Sequence, residues 1–328
     1  MKPSLFLLLF LSISSFFLGI YLGSSEISFG EVLSILTGKP HPKADIVLQL
    51  RLPRVLLAMA TGSILSLCGF YIQALVKNPL ADPYLMGVTS GASLGVNLLY
   101  ANLITISSFH LFTFPLFAWA GSFVALLLVM ALGAKGFSEN NDRLLLAGVA
   151  CSSICTAITG VLIYRFAESD QMRRMFFWTF GSFERATPEI CAVALILLLG
   201  CIVFGTVYSR KLDILSLGDV QALTLGIDVT QIKYIMLIAV SIFAGGIVAF
   251  TGPIGFVGMM IPHFSRAFVG YSHRHNLLIA TILGATYLNL CDILSRLIFP
   301  PTGLPIGITT ALLGVPFFLY LLYKKNTF

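Results

Sequence analysis

Long apolar runs alternate with short polar connections along almost the whole chain. A helix that crosses a lipid bilayer needs roughly 20 apolar residues. Backbone polar groups surrounded by lipid must be satisfied within their own segment, which favours helices over open strands. Ten runs have about this length, the eighth and ninth with charged residues inside, so we predict ten spanning helices: Leu5–Leu22, Val55–Val76, Leu85–Ile106, Leu111–Leu132, Leu144–Tyr164, Ile190–Tyr208, Tyr234–Phe250, Ile254–Val269, Leu277–Ile298 and Leu304–Tyr323.

The amino-acid composition of the 328-residue chain agrees with a location in the membrane. Hydrophobic residues make up 57% of the chain and charged residues only 10%, whereas a typical soluble domain carries about 25% charged residues. So few charges cannot cover a water-exposed surface. We therefore predict an all-α integral membrane protein with about ten transmembrane helices in a single domain, residues 1–328. Met1-Lys2 followed by Leu5–Leu22 is similar to a signal peptide, but we interpret it as a retained first span because no convincing cleavage site follows.

The distribution of basic residues predicts an orientation. An even number of spans puts both termini on one side, and Lys2 together with Lys324-Lys325 favours the cytoplasm for that side. Ser209–Lys233 then lies inside, and Gly23–Arg54 and Arg165–Glu189 lie outside. Eleven basic residues fall inside and nine outside, which is a weak bias. Some outer basic residues therefore need another explanation.

Two polar stretches on the predicted inner side differ from simple connections. Ser209–Lys233 contains Leu217-Gly-Asp219 and Ala222-Leu-Thr-Leu-Gly226, where aspartate and glycine favour the starts and ends of short helices. An ordinary long loop is the alternative. Asn78–Pro83 contains two prolines, which stop a helix and stiffen the turn that follows.

Three arginines lie at the predicted outer ends of spans. Arg51 and Arg54 precede the second span, and Arg296 ends the ninth, four residues after Asp292. They could anchor the helices at the interface, and Asp292 with Arg296 could form a local ion pair. The other interpretation is a cationic patch that receives acidic groups of a soluble partner.

Several classes of site are missing from the sequence. There is no P-loop signature, so any ATP hydrolysis needs a second chain. No zinc-type ligand spacing and no catalytic constellation occur, and we predict neither a metal site nor a catalytic residue. Basic residues do not cluster with aromatic ones, which argues against nucleic-acid binding. The six cysteines lie in apolar runs and are interpreted as small hydrophobic residues.

Several motifs occur in the order and spacing of one known family. They are Arg51-Leu-Pro-Arg54, Gln73, Asn78-Pro-Leu-Ala-Asp-Pro83, Gly87-Val, Ser90-Gly-Ala92, Arg143-Leu-Leu-Leu-Ala-Gly-Val149, Trp178 with Gly181-Ser182, Leu217-Gly-Asp219 with Leu225-Gly226, Gly255-Phe-Val-Gly258, Pro262-His263 with Arg266, Asp292 with Arg296, and Leu304-Pro-Ile-Gly307 leading to Gly314 and Pro316-Phe-Phe318. From about Gly30 to Tyr323 the chain resembles the FecCD-type permeases of binding-protein-dependent ABC importers, which carry iron-siderophores, haem or cobalamin.

The resemblance implies partners. It implies a homodimer in the lipid of the cell inner membrane with both termini cytoplasmic, two copies of an ABC ATPase subunit that binds ATP and magnesium, and a periplasmic or lipid-anchored substrate-binding protein. No cofactor is expected on this chain itself, and residues 1–328 are expected to form one permease domain, with a coupling loop at about residues 209–233.

The resemblance also assigns roles to residues. Arg51, Arg54 and Arg296 match positions that dock the binding protein. The positions that couple to the ATPase are Leu217, Gly218, Asp219, Ala222, Leu225 and Gly226, and the cytoplasmic gate comprises Asn78, Leu80, Asn141 and Asp142. Two departures from the family pattern are Gly303, where glutamate is usual, and Met86, where leucine is usual.

The function predicted from this resemblance is ATP-driven import of a metal chelate, an iron-siderophore before haem or cobalamin. An ion-coupled secondary transporter is the alternative, and it would need ionisable residues near the membrane midplane. The charge-free central spans disfavour that alternative. A membrane-embedded enzyme is disfavoured because no catalytic groups cluster in the apolar runs.

Overall fold

The computed structural model describes residues 5–23, 25, 27–101, 103–104, 111–133, 141–166, 169–269, 273–300 and 302–323. Within these ranges the chain is helical and contains no strand, which confirms the predicted all-α class. The helices are α1 (Leu5–Tyr21), α2 (Phe29–Leu36), α3 (Leu52–Val76), α4 (Val88–Tyr100), α5 (Thr113–Gly133), α6 (Asn141–Phe166), α7 (Ser169–Trp178), α8 (Pro188–Ser216), α9 (Asp219–Thr224), α10 (Val229–Val240), α11 (Gly246–Thr251), α12 (Val257–Val269), α13 (His273–Ile298) and α14 (Ile306–Tyr323).

Every apolar run that was predicted to span contains a helix, but the helices differ in length. Among the described residues, six helices are long and apolar enough to cross a membrane, and α1 and α14 form two shorter apolar helices. One of the six is the continuous stretch Val229–Thr251, in which a π-helical turn joins α10 to α11. The helices α4 and α12 have 13 residues each, which is about 20 Å. They therefore cover only part of a hydrocarbon core roughly 30 Å thick. The predicted end of the third span, Thr105–Ile106, lies outside the described residues.

Two helices continue eight or more residues past the ends predicted for them. A π-helical turn at Ile46–Arg51 leads directly into α3, whereas the prediction began at Val55. The helix α8 continues at its C-terminal end to Ser216, whereas the predicted span ended at Tyr208. Charged residues had marked both predicted ends. Charge limits how much of a helix can face lipid, but it does not end the helix itself.

The helix α3 forms the centre of the molecule. Nearly all its residues from Val55 to Val76 are buried, mainly against α8, α12 and α13. Two glycines permit this packing: the backbone at Gly62 lies against the Gly284 carbonyl of α13, and the backbone at Gly69 lies against the Gly258 carbonyl of α12, without room for a Cβ atom. Small residues let neighbouring membrane helices approach this closely.

The chain reaches the interior of the bundle close to the starts of the short helices α4 and α12. Gly258, in the first turn of α12, lies against Leu65 and Gly69, in the middle of α3. Pro83, which follows α3 in sequence, packs beside the same glycine. The chain therefore turns back towards the bundle interior after Lys77. Phe256, just before α12, has φ 71°, a left-handed conformation that costs a non-glycine residue roughly 1–2 kcal/mol.

The ends of α3 mark two opposite ends of the bundle. Arg51 lies at one end and Lys77 at the other, roughly 40 Å apart at 1.5 Å per residue. The predicted docking arginines lie at the first end. The segment that contains Asp219 lies at the second, because its carboxylate contacts Lys77.

Candidate functional site

Arg51 caps another helix from a buried position. Its side chain is 6% exposed, and its guanidinium donates hydrogen bonds to the carbonyl oxygens of Ile20 at 2.9 Å and Tyr21 at 2.8 Å, with further bonds to Ser25. The last carbonyls of a helix lack partners within it, and a cation near them is favourable. Arg51 therefore fixes the end of α1 to the start of α3.

Arg54 and Arg296 share the buried carboxylate of Asp292. Arg54 donates to its Oδ1 through Nε at 3.0 Å and through a terminal nitrogen at 2.9 Å, and Nε of Arg296 lies 3.1 Å from Oδ2. Arg296 also donates to the carbonyl oxygens of Gly19 and Leu22. The structure therefore brings all three predicted docking arginines together. We call this internal cluster, after the predicted orientation, the outer clasp (Arg51, Arg54, Asp292, Arg296). Part of the Arg54 side chain, 22%, stays exposed.

The predicted coupling segment begins with a short helix between two glycines. Gly218 has φ 130° and Gly226 has φ 77°, left-handed conformations that glycine adopts without steric cost. The six residues of α9 lie between them. Only one short helix forms here because α8 continues to Ser216, and α10 follows with Asp228 as its N-cap, which accepts a hydrogen bond from Gln231 at 2.9 Å.

Asp219 ties this segment to two other helices. Its Oδ1 lies 2.6 Å from Nζ of Lys77, at the end of α3, and its Oδ2 lies 2.9 Å from Nζ of Lys233, in α10. The Lys233 side chain is 0% exposed. Burial raises the pKa of Asp219, but the hydrogen bonds from Lys77 and Lys233 outweigh burial and leave this pKa below its usual value. We call this triad, after the predicted orientation, the inner clamp (Lys77, Asp219, Lys233).

The segment around α9 presents an apolar surface away from the bundle. Ala222 is fully buried. Leu225 is exposed by 60%, and so are Leu217, Val220 and Leu223 to a similar degree or more. A contiguous exposed apolar patch at a polar end of a molecule marks an interaction surface more often than chance exposure does.

The predicted gate loop starts at the inner clamp. Asn78 follows Lys77 directly, and its Oδ1 accepts a hydrogen bond from the Leu80 backbone amide at 2.9 Å. Asp82 is buried and caps the next turn, since its Oδ1 accepts a hydrogen bond from the Tyr84 amide at 2.9 Å. Asn141 and Asp142 begin α6, but their side chains lie outside the part of the chain that the structure describes.

Motif reasoning missed a second group of arginines at the outer end. Arg173, Arg174 and Arg185 lie on α7 and in the connection to α8 and line a cavity of about 500 Å³. They were counted among the outer basic residues without a role. The signal available in the sequence was the Arg173-Arg174 pair, which only Met175 separates from the aromatic run Phe176-Phe177-Trp178.

Comparisons with known proteins identify a family. The model of the FecCD transport family matches residues 7–324. The chain is 38% identical over 282 residues to the hemin transport system permease protein HmuU of Yersinia pestis, covering 86% of this chain and 84% of that one. It is 34% identical over 287 residues to the Fe(3+) dicitrate transport system permease protein FecD of Escherichia coli (strain K12), covering 87% of each.

A solved structure resembles the whole molecule. It represents an inward-facing conformation of a protein assigned to the metal-chelate type of ABC transporter. It superposes with a TM-score of 0.86 at 29% sequence identity, over 97% of this chain and 98% of that one. With the family match along nearly the full length, these similarities identify the multi-pass membrane protein described above as a member of the FecCD transport family.

Proposed function

We propose that this chain is the membrane-spanning permease of an ATP-driven importer that takes a metal chelate, an iron-siderophore before haem or cobalamin, from a binding protein across the cell inner membrane. The observation that carries the proposal is the inner clamp. It fixes a helix with an exposed apolar surface to the end of α3 that lies opposite the outer clasp. The family membership and the functions of the relatives named above support the same conclusion.

The apolar surface around α9 docks the separate ATPase subunit. When ATP closes two such subunits, α9 moves, and Asp219 carries that movement into Lys77 and Lys233. Lys77 immediately precedes Asn78, and Leu80 follows two residues later, so the same displacement reaches the proposed gate without an intervening flexible linker. Alternating access of this kind is a rigid-body movement of helices around a fixed pathway.

The binding protein docks at the opposite end, on the exposed parts of Arg54 and Arg296. Charge pairs at a rim contribute orientation and association rate more than affinity. Asp292 holds both guanidiniums in place before contact, so docking does not have to order them. Arg51 contributes indirectly, because its donors are occupied by backbone carbonyls at the end of α1. Two copies of the chain form the pathway at their two-fold axis.

Uptake by proteoliposomes tests the proposal. The permease is reconstituted with its ATPase and loaded binding protein, and ferric siderophore, haem and cobalamin are offered in turn. We expect uptake only when ATP is present on the side of the membrane opposite the binding protein. Uptake that follows an ion gradient without ATP would instead support a secondary transporter.

Substitution of the clamp tests coupling separately. We expect Asp219→Lys to lower uptake at least tenfold while the assembled ATPase still hydrolyses ATP, because three ammonium groups would then repel one another. Asp213→Lys makes the same charge change at the same end of the molecule and serves as the matched control. Equal loss in both variants, or unchanged uptake in Asp219→Lys, would contradict the proposed route.

A further inference from the structure

The outer cavity has a cationic lining held in place by α7. Met175 is fully buried and packs with Ala101 and Leu162, and this contact fixes one face of α7. Arg173 and Arg174, adjacent in sequence, are exposed and line the cavity. No ion pair joins either arginine to a side chain that the structure describes.

The cavity also has a third arginine and a single acidic residue. Arg185 donates a 3.4 Å hydrogen bond to the Tyr100 hydroxyl, and Glu184 lies beside it. A neighbouring cavity of about 460 Å³ shares Arg173 and Glu184 and extends to Arg54 and Arg296. Among the described residues that line the two cavities, with Asp292 included, there are five guanidiniums and two carboxylates, so this lining carries a net positive charge.

Aromatic rings complete the wall around the arginines. Phe114, Phe177, Trp178 and Phe250 line the first cavity. Guanidinium groups bind carboxylates and other paired oxygen anions through two parallel hydrogen bonds, and aromatic faces bind planar apolar surfaces. The volume falls within the range typical of sites for small ligands.

We propose that this cavity is a recognition site for a polyanionic metal chelate with planar aromatic or conjugated parts, held through Arg173, Arg174 and Arg185. The inference rests on the proposed function as a chelate permease and narrows its substrate to anionic chelates. These arginines line a concavity between α5, α7 and α11, which is the usual shape of a site for a small molecule. A chelate released at the outer end would meet them before it entered the pathway.

Binding to the permease alone tests the site. The chain contains two tryptophans, so Trp119→Phe leaves Trp178 in the cavity wall as the only indole reporter. The purified protein in nanodiscs of zwitterionic lipid is titrated with a ferric tris-catecholate of charge −3 and with a neutral ferric trihydroxamate of similar size. Free tryptophan titrated in parallel corrects for absorption by the chelates.

We expect the anionic chelate to quench Trp178 and to bind at least tenfold more tightly than the neutral one, with affinity falling as salt is raised. Arg173→Gln and Arg174→Gln should each weaken binding about tenfold, in line with the loss of one charge-assisted hydrogen bond. Arg173→Lys should fall between, because lysine keeps the charge without the planar fork. Arg165→Gln removes one charge from the last turn of α6, outside the cavity, and should change affinity less than twofold.

Equal affinity for the two chelates, or equal losses in Arg165→Gln and Arg173→Gln, would overturn the inference. Full competition by nanodiscs of anionic lipid would assign the arginines to lipid headgroups and overturn it as well. ATP-dependent uptake of the neutral chelate with no uptake of the anionic one would contradict the site while leaving the permease function intact. Selective binding of the anionic chelate without any ATP-dependent uptake would contradict the permease function alone.

Discussion

Lys77 holds a backbone conformation that few lysines adopt. Its φ is 56° at the end of α3, where glycine is the usual residue because it has no Cβ atom. A lysine here costs roughly 1–2 kcal/mol in local strain, but its ammonium group reaches Asp219 at 2.6 Å. We infer that the ion pair of the Lys77 side chain with Asp219 compensates for the strain in the Lys77 backbone.

Asp219→Asn is expected to destabilise the folded permease by about 2–4 kcal/mol, because it deprives the buried Lys233 of its carboxylate. Lys77→Met removes the more exposed partner and should cost less than about 1 kcal/mol. Thermal unfolding in detergent, followed by the fluorescence of a thiol probe on the buried cysteines, measures both. Adding Lys233→Met to Asp219→Asn should restore most of the loss. No restoration would show that the carboxylate acts through other contacts.

The inner clamp should persist at neutral pH and open in acid. The pKa of Asp219 is lower in the folded chain than its usual value, which is about 3.9 in an unfolded peptide. The stabilisation is therefore complete above the unfolded pKa and is lost as pH falls through the folded pKa. Between about pH 5 and 8, the ratio of the hydrogen-exchange rates of the α9 amides in the native chain and in Asp219→Asn should stay constant. Below about pH 4 the rate in the native chain should rise relative to the rate in the variant. A transition near pH 6 would contradict this assignment.

The residue contacts show where prediction from sequence stops. The motifs located Arg51 and Asp219, but the partners of Arg51 lie 26 to 31 positions away and Lys77 lies 142 positions from Asp219. Such pairs are created by helix packing, which a single sequence does not reveal. The pair Asp292 and Arg296, four apart on one helix, was accessible to sequence reasoning and is present at 3.1 Å.

At the scale of elements, apolar runs located the helices but not their ends. A run free of charge also includes segments outside the α-helices, such as the 3₁₀ turn that ends at Met86 and the non-helical Ile254–Phe256, so α4 and α12 are shorter than predicted. Charge also ended predictions too early, as at the start of α3. Both errors have one cause: hydropathy reports the solvent of a segment, whereas capping and packing determine where a helix begins and ends.

Close glycine contacts between helices should be sensitive to a single methyl group. Gly69→Ala would place a Cβ atom against the Gly258 backbone carbonyl, so we expect a loss of about 1–3 kcal/mol from overpacking. Gly160→Ala is the matched control, because no atom lies within 4 Å of a Cβ atom there and alanine favours a helix by up to about 1 kcal/mol. Melting temperatures of the two variants in the same detergent give the comparison. A similar melting point for both would mean that α3 and α12 can separate.

At the scale of the whole molecule, the outer clasp and the α9 segment should be accessible from opposite sides of the membrane. All six native cysteines are buried, so an impermeant maleimide reports on introduced ones. We expect Lys39→Cys, in an exposed connection on the side of the outer clasp, to react in intact spheroplasts. Thr224→Cys, at the end of α9, should react only in inside-out vesicles. Reaction of both from one side would contradict the proposed orientation and the route from ATPase to gate.

One helix carries an ion cluster at each end. Arg54 of α3 binds Asp292, and Lys77, the residue that ends α3, binds Asp219. The helix between them is buried in a close-packed interior. Free-energy coupling between two sites is reciprocal. If docking of the binding protein shifts the closure equilibrium of the ATPase through α3, closure of the ATPase must shift the affinity for the binding protein by the same factor. The permease would thus also determine at which stage of the ATP cycle the binding protein dissociates.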